Sequence, residues 1–329
     1  MTSTQSGELE AQSQNLPRVA ITVPSRGGAD HLPRLLQALA HQQNAPAFQV
    51  HVVLDGDIDN SESVLGQQAQ KWPELDLSWT VFPENRGRVA ALNHAAQATT
   101  GTILVRCDDD LEPGPDYVRA HAQAHAHGEP RGVVGLYLNR YPDTHYARAY
   151  GRTADVKFRS EAYDSTAATR WRYWAGNVSV PRQVFDQLGG YESAYRRYGW
   201  EDVDFGYRLH AAGFPVVVLP ELETPHYVAA TTTQVRTARA LHSGAARDTF
   251  TRIHGEQAHP LRLPRGLWGR AVRVGAAVLN VRTLDAVSRC VDRALPILPP
   301  WIGTKSVAFL VESAGLAGSL HPERARETF

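Results

Sequence analysis

Residues 106–113 read RCDDDLEP and set Asp108, Asp109 and Asp110 side by side, directly after the apolar run Ile103–Val105. Adjacent carboxylates repel one another, so the cluster needs a positive partner. If the three continue an extended chain, Asp108 and Asp110 project to one side and Asp109 to the other. Two carboxylates on one side suit a hard divalent cation, Mn²⁺ or Mg²⁺, which keeps positions open for water and phosphate oxygens. The same residues equally suit an acidic turn leading into a helix, where Asp is favoured without any ligand.

A second acidic group stands in WEDVDFGYRL, residues 200–209. Glu201 and Asp202 fall in the first turn of a helix whose Phe205 and Leu209 share one face. Compensation of the helix dipole, worth roughly 0.3–1 kcal/mol per charge, accounts for acids there. It does not require Trp200 beside them. An exposed indole stacks on the apolar face of a sugar ring while a neighbouring carboxylate accepts a hydroxyl proton.

Such groups act only if a scaffold holds them. Strand-like runs at Val19–Pro24, Gln49–Leu54, Leu77–Phe82, Thr102–Val105 and Val133–Leu138 alternate with helix-like segments at Asp30–His41, Ser61–Lys71, Gly87–Ala98 and Pro115–His127. In Asp30–His41 the residues Leu32, Leu35, Leu36 and Leu39 fall at helical core spacing. Strands separated by helices of this length imply right-handed crossovers, hence an α/β fold with a mostly parallel sheet. Ligands of such sheets bind beyond the strand C-termini. Ser25-Arg26-Gly27-Gly28, Asp55-Gly56-Asp57 and the acid triplet all lie at such ends. Residues 139–172 show no clear periodicity and read as a long functional loop. Order resumes with Asn177–Val180, Gln183–Gln187, a Gly189-Gly190 turn, a helix at Glu201–Ala212 and a strand at Pro215–Leu219. From about Gln234 the composition is helical.

Composition narrows the partners. Of 329 residues, 34 are Lys or Arg and 34 are Asp or Glu, so no global field recruits nucleic acid. Any phosphate recognition must be local. Two cysteines, Cys107 and Cys290, make no disulfide framework and suggest a reducing compartment. Residues 1–16 are polar, lack an apolar signal segment and read as a disordered leader. The expected location is cytoplasmic.

Six stretches in this order, VAITVPSRGGADHLPRLLQAL, VVLDGD, ENRGRVAALNHA, RCDDDLEPGPDYV, AGNVSVPRQVFDQLGGYE and GWEDVDFGYRL, together resemble the family 2 nucleotide-sugar glycosyltransferases. The resemblance covers about residues 18–230. It implies the A-type fold, with a Rossmann-like nucleotide half at about 17–115, an acceptor half at about 116–230 and a helical extension over 231–329. It further implies that Pro24, Ser25 and Asp55 line the nucleoside pocket and that Arg88 reaches the base or diphosphate. Asp108–Asp110 would form the DXD motif holding ribose and metal, with Asp110 the direct ligand and His226 a later addition to it. Asp202 and Glu201 would be the acidic pair at the acceptor, Asp202 favoured as base because a short side chain is more rigidly aimed. Trp200, Gly176 and Asn177 are the expected acceptor contacts. The implied chemistry is metal-dependent, inverting transfer from a nucleotide-diphosphate sugar to a carbohydrate or glycolipid hydroxyl. A retaining transferase and a non-catalytic nucleotide-sugar binder are the competing readings. One departure is Leu54, which stands where many relatives carry an acid before Asp55.

Other signals are weaker. Arg26 with Gly27-Gly28 suits a phosphate, and suits a plain turn as well. His121 and His125 sit at i and i+4, a spacing zinc uses, but no third ligand is evident. Cys107 reads as packing. Arg270 and Arg273 lie three apart on an otherwise apolar helix. One reading is a helix on a membrane surface, at the inner face of the membrane. The other, which we favour from sequence, is packing on the catalytic domain or on a sister subunit in a homo-oligomer.

Overall fold

A computed structural model of the protein describes residues 16–196, 199–228 and 230–325. The expected leader lies outside these, apart from Leu16. The chain separates into two compact units that interleave in sequence. One comprises residues up to 138, 161–193 and 201–227; the other comprises 139–160, 194–200 and everything from 228 onward.

The first unit is built on a seven-stranded sheet of order β3-β2-β1-β4-β7-β5-β8. Its strands are β1 (Val19–Ser25), β2 (Phe48–Leu54), β3 (Leu77–Val81), β4 (Ile103–Cys107), β5 (Gly132–Val134), β7 (Asn177–Pro181) and β8 (Val216–Val218). Only β7 runs against its neighbours; the other pairings are parallel. Every residue of β1 is buried, as a central strand with both faces covered must be. Helix α1 (Leu32–Ala40) buries Leu32, Leu35, Leu36 and Leu39, the predicted stripe. Helices α2 (Ser61–Lys71), α3 (Arg88–Gln97) and α4 (Tyr117–Ala124) complete the crossovers.

Chain direction along the sheet explains where ligands can enter. The chain steps from β1 outward to β2 and β3, then returns to place β4 on the other side of β1. The ends of β1 and β4 therefore flank a topological switch point, the crevice where open α/β sheets bind ligands.

The segment read as a loop over 139–172 is in good part regular. A short strand β6 (Tyr137–Arg140) precedes a π-helical turn at Ala147–Gly151, which runs into α5 (Arg152–Tyr163), and a 3₁₀ turn follows at Arg170–Tyr173. The helical periodicity escapes a sequence reading because α5 leaves Val156 (59 %) and Phe158 (49 %) exposed, so its apolar residues form no core-facing stripe. Strand β9 (Thr224–Tyr227) pairs with β6 in a separate two-stranded sheet. After β7 come α6 (Arg182–Gln187) and α7 (Glu201–Ala211).

The second unit is helical: α8 (Thr233–His254), α9 (Gly266–Val278), α10 (Val281–Ala294) and α11 (Pro300–Leu320). Its core joins Tyr146 to Leu241, Val272, Leu284, Val307, Leu310 and Ala314. Helices α8 and α11 approach too closely for side chains at the crossing: a Cβ on Gly318 would stand 2.0 Å from the Leu241 carbonyl oxygen, and one on Gly244 2.2 Å from that of Gly315. Among the described residues no helix is long and apolar enough to cross a membrane.

Candidate active site

At the end of β4 the chain does not stay extended. Leu111 N–H bonds back to the Asp108 carbonyl at 3.2 Å, closing a turn over the acid triplet. The expected alternation of the three side chains therefore fails, and each carboxylate finds its own partner. Asp109 accepts a 2.5 Å hydrogen bond from the Ser25 hydroxyl across the switch point. A side chain at Gly28 is excluded there, since its Cβ would fall 2.2 Å from Ser25 Oγ and 2.6 Å from Asp109 Oδ2. Burial pushes Asp109 up to about 7 against that hydrogen bond, with Asp110 and Asp108 adding to the rise.

Asp108 belongs to an arginine. Arg106 Nε donates to its Oδ1 at 2.9 Å and Nη2 to its Oδ2 at 3.3 Å. Burial alone would raise the Asp108 pKa, but Arg106 and Arg88 hold it below the usual carboxylate range. The Tyr137 hydroxyl also donates to Oδ2 at 3.3 Å, while accepting from Gly176 N–H at 2.7 Å.

Arg106 is the residue that sequence reasoning missed. Its side chain is only 3 % exposed, and its other arm, Nη1, donates to Asp202 on α7. One buried guanidinium thus ties the acid triplet to the acidic pair. The available signal was a charged residue inside the strand ILVRC, all of whose positions are buried. A buried arginine needs carboxylate partners, and the nearest lie two residues on.

Asp110 meets His226. Strand β9 continues antiparallel past the triplet, with Tyr227 N–H on the Asp110 carbonyl at 2.9 Å and Glu112 N–H on that of Pro225 at 2.9 Å. This register brings His226 Nε2 to 3.1 Å from Asp110 Oδ2, and Tyr137 stacks on the imidazole at 4.4 Å. Asp110 Oδ1 is buried with no hydrogen-bond partner among the described residues. An unmet carboxylate oxygen beside an imidazole nitrogen fits a divalent cation. Asp108 is not part of that pair, its carboxylate being engaged by Arg106. Among the described residues no three His, Cys, Asp or Glu side chains converge to hold a metal. A cation here would take its remaining ligands from phosphate and water.

On α7, Glu201 Oε1 receives Arg88 Nη1 at 3.3 Å, whereas its buried Oε2 has no partner among the described residues. Asp202 is the more open of the two, its side chain 18 % exposed against 3 % for Glu201. Burial raises Asp202 to about 7 against the pull of Arg106, and Glu201 adds to the rise. The helix is anchored behind them by Phe205 and Leu209, both fully buried, and by Arg208, which pairs with Asp204 on the same helix and donates to the Leu188 and Gly190 carbonyls at 2.8 Å each.

At the end of β2, Asp55 accepts from Arg86 N–H at 2.6 Å and Gly87 N–H at 2.9 Å, so its carboxylate holds the chain just ahead of α3. Gly87 has φ 90°, a conformation that favours glycine. Arg26 Nη1 donates to the Asp55 carbonyl at 2.6 Å, and Pro24 is buried in β1.

Three acceptor expectations need correction. Asn177 is fully buried; its amide donates to the Leu222 carbonyl and Thr224 Oγ1, and its oxygen accepts from Tyr117. It cannot reach an acceptor. Gly176 is buried, and a Cβ there would stand 2.0 Å from Asp108 Oδ2 and 2.3 Å from the Tyr137 hydroxyl. Its part is to let those groups meet. Trp200 is not an open platform: its indole packs at 5.1 Å on Phe250 and 5.3 Å on His259 in the second unit. The zinc spacing of His121 and His125 resolves as structure, since both imidazoles bond Ser179 Oγ, at 2.9 and 2.8 Å. Burial drives both down, His121 to about 3 and His125 to about 4. Cys107 is buried, and burial raises its thiol well above the ordinary range.

The fold and the site define a class, and the comparisons agree with it. The family described as glycosyl transferase family 2 matches residues 20–189, more than half of the chain, and that described as the N-terminal domain of galactosyltransferase matches residues 158–232. The chain belongs to glycosyl transferase family 2, with the A-type fold. The validoxylamine A glucosyltransferase of Streptomyces hygroscopicus subsp. limoneus is 31 % identical over 248 residues, 66 % of this chain and 54 % of that protein. The uncharacterised glycosyltransferase YfnE of Bacillus subtilis (strain 168) is 26 % identical over 255 residues, 64 % of this chain and 64 % of that one. The chain thus spans somewhat over half the length of these relatives. Among solved structures, mannosyltransferase PcManGT from Pyrobaculum calidifontis, in complex with GDP-Man and Mn²⁺, superposes with a TM-score of 0.62 at 20 % identity, covering 94 % of this chain and 88 % of that one.

Proposed function

We propose that the chain moves a sugar from a nucleotide-diphosphate sugar to an acceptor hydroxyl, in a divalent-cation-dependent displacement that inverts the anomeric centre. The observation that carries this reading is Arg106, one buried guanidinium bonded both to Asp108 after β4 and to Asp202 on α7. It holds a donor-side acid and an acceptor-side acid on either side of one crevice.

The nucleoside would lie at the switch point, against Pro24, Ser25 and the Asp55 turn, with the Ser25–Asp109 pair facing the ribose. Arg88, 42 % exposed, and Arg26 supply positive charge for the diphosphate. Asp110 and His226 would hold the cation, and an imidazole ligand favours Mn²⁺ over Mg²⁺. Once bound, that ion neutralises charge developing on the departing diphosphate.

Asp202 acts as the base. Burial raises its pKa to about 7, so about half of the carboxylate is ionised at neutral pH and it takes a proton readily. The acceptor oxygen attacks the anomeric carbon as its proton passes to the Asp202 carboxylate. The bond from that carbon to the phosphate oxygen breaks, and its electron pair leaves with the nucleoside diphosphate. A single displacement inverts configuration. Glu201, with one oxygen on Arg88 and its side chain only 3 % exposed, orients the site rather than meeting the acceptor.

The test is a panel of UDP-, GDP- and dTDP-sugars assayed for nucleoside diphosphate release with Mn²⁺ and with a chelator. Chelator-sensitive release from one donor, with a β-linked product from an α-linked sugar, is expected. An α-linked product would overturn inversion, and release from no donor would overturn the transferase reading.

A further inference from the structure

The face of α9 that looks away from the helical core is apolar where a solvated helix is polar. Gly269, Val272, Gly275 and Ala276 are buried. On the opposite side Leu267 is 83 % exposed, Val274 64 % and Val278 66 %, a stripe about 16 Å long at 1.5 Å per residue. Trp301 (71 %) and Ile297 (84 %) are exposed as well. Trp301 lies at the same end of α9 as Trp268, because Lys305, one turn beyond Trp301, sits 5.1 Å from the ring of Trp268. These side chains are too many and too close to be the single exposed apolar residues normal on a surface.

The stripe is rimmed by positive charge. Arg262, Arg265, Arg270 and Arg273 are exposed, and none is in an ion pair with a described residue. Residues 261–284 contain five arginines and no acid. From 261 to 325 nine Arg or Lys face four Asp or Glu, in a chain whose total charge is zero. The positive excess is therefore local to this surface.

We infer that this face of the second unit docks on an anionic lipid bilayer, Leu267, Val274, Val278, Ile297 and Trp301 entering the interface while the arginines meet the headgroups. Apolar stripe, tryptophan and flanking arginines are the composition of a helix lying in the membrane plane. No described helix is long and apolar enough to cross the bilayer. A second copy of the chain is the other occupant to weigh. A two-fold contact through this stripe would set arginines against arginines with no acid between 261 and 284 to offset them. Anionic lipid neutralises them. The inference does not depend on the chemistry proposed above.

The experiment is flotation of the full chain with vesicles of phosphatidylcholine alone and of phosphatidylcholine mixed with phosphatidylglycerol. The expected result is binding to the mixed vesicles only, weakened by added salt. Arg270→Glu with Arg273→Glu should weaken it by more than about tenfold, at roughly fivefold or more per surface arginine. Leu267→Glu with Trp301→Glu should abolish it. All four positions are exposed, so both variants should melt as the wild type does. Equal binding to neutral vesicles, or none to either, overturns the inference. So does sedimentation showing a wild-type dimer that Leu267→Glu dissociates, which would assign the face to a second copy.

Discussion

Replacing Arg106 by Met keeps most of the side-chain volume and removes one charge. Asp108 and Asp202, each 18 % exposed, would then face each other with no guanidinium between them. Removing one partner from a buried ion pair costs about 3–5 kcal/mol, because the other charge stays behind. The partial exposure of both acids puts the expected loss at the low end, about 3 kcal/mol. For a domain of this size that lowers Tm by about 6–12 °C. The loss should also depend on pH. In the wild type Asp202 already sits near 7, raised by burial against Arg106. Without Arg106 it rises further. An acid whose folded pKa exceeds its unfolded value adds stability that is complete below the unfolded pKa and is lost as pH rises through the folded one. The variant's deficit should therefore grow between pH 5.5 and 8, by up to about 1.4 kcal/mol for each further unit of rise. Urea melts of both proteins at the two pH values measure it. A deficit under about 1 kcal/mol, or one equal at both pH values, would refute the role given to Arg106.

Asp202→Asn should keep donor binding and lose turnover by about 10²–10⁴-fold, the contribution of a general base; a change confined to the acceptor KM would deny it that role. Because the base must be ionised and burial holds Asp202 near 7, kcat/KM should rise with pH to a midpoint near 7 and then level off. A flat profile down to pH 5 would exclude it. Asn177→Ala should destabilise the fold by about 3 kcal/mol, through the partners it leaves unmet, without changing the acceptor KM; calorimetric melting and steady-state kinetics separate the two effects.

The parallel sheet was legible because its strands are β-branched runs separated by helices with clear stripes, as in Leu32–Leu39. The acid triplet, Asp55 and Ser25 were legible as strand-end residues, since topology alone sends such residues to one crevice. Of their partners only His226 was expected, and that only through the family resemblance. The three aspartates divide among Ser25, Arg106 and His226 because the chain turns at Asp108, and a single sequence does not reveal a turn that tertiary pairing with β9 helps to hold. Asn177 and Trp200 misled for a common reason. A polar or aromatic residue inside a suggestive stretch carries no mark of whether it faces the crevice or the core. Asn177 turned inward onto Tyr117 and Leu222, and Trp200 onto Phe250. Helix α5 was invisible because its exposed Val156 and Phe158 break the pattern that reveals helices.

The most direct test of the account is calorimetric titration of UDP and GDP into the wild type and into Asp110→Asn, each with Mn²⁺ and with a chelator. Asp110 and His226 as cation holders predict that Mn²⁺ tightens binding of one nucleoside diphosphate at least tenfold in the wild type, and that Asp110→Asn, folded normally, loses that gain while keeping the weaker cation-free binding. Affinity indifferent to Mn²⁺ in the wild type, or a full Mn²⁺ effect surviving in Asp110→Asn, would contradict it.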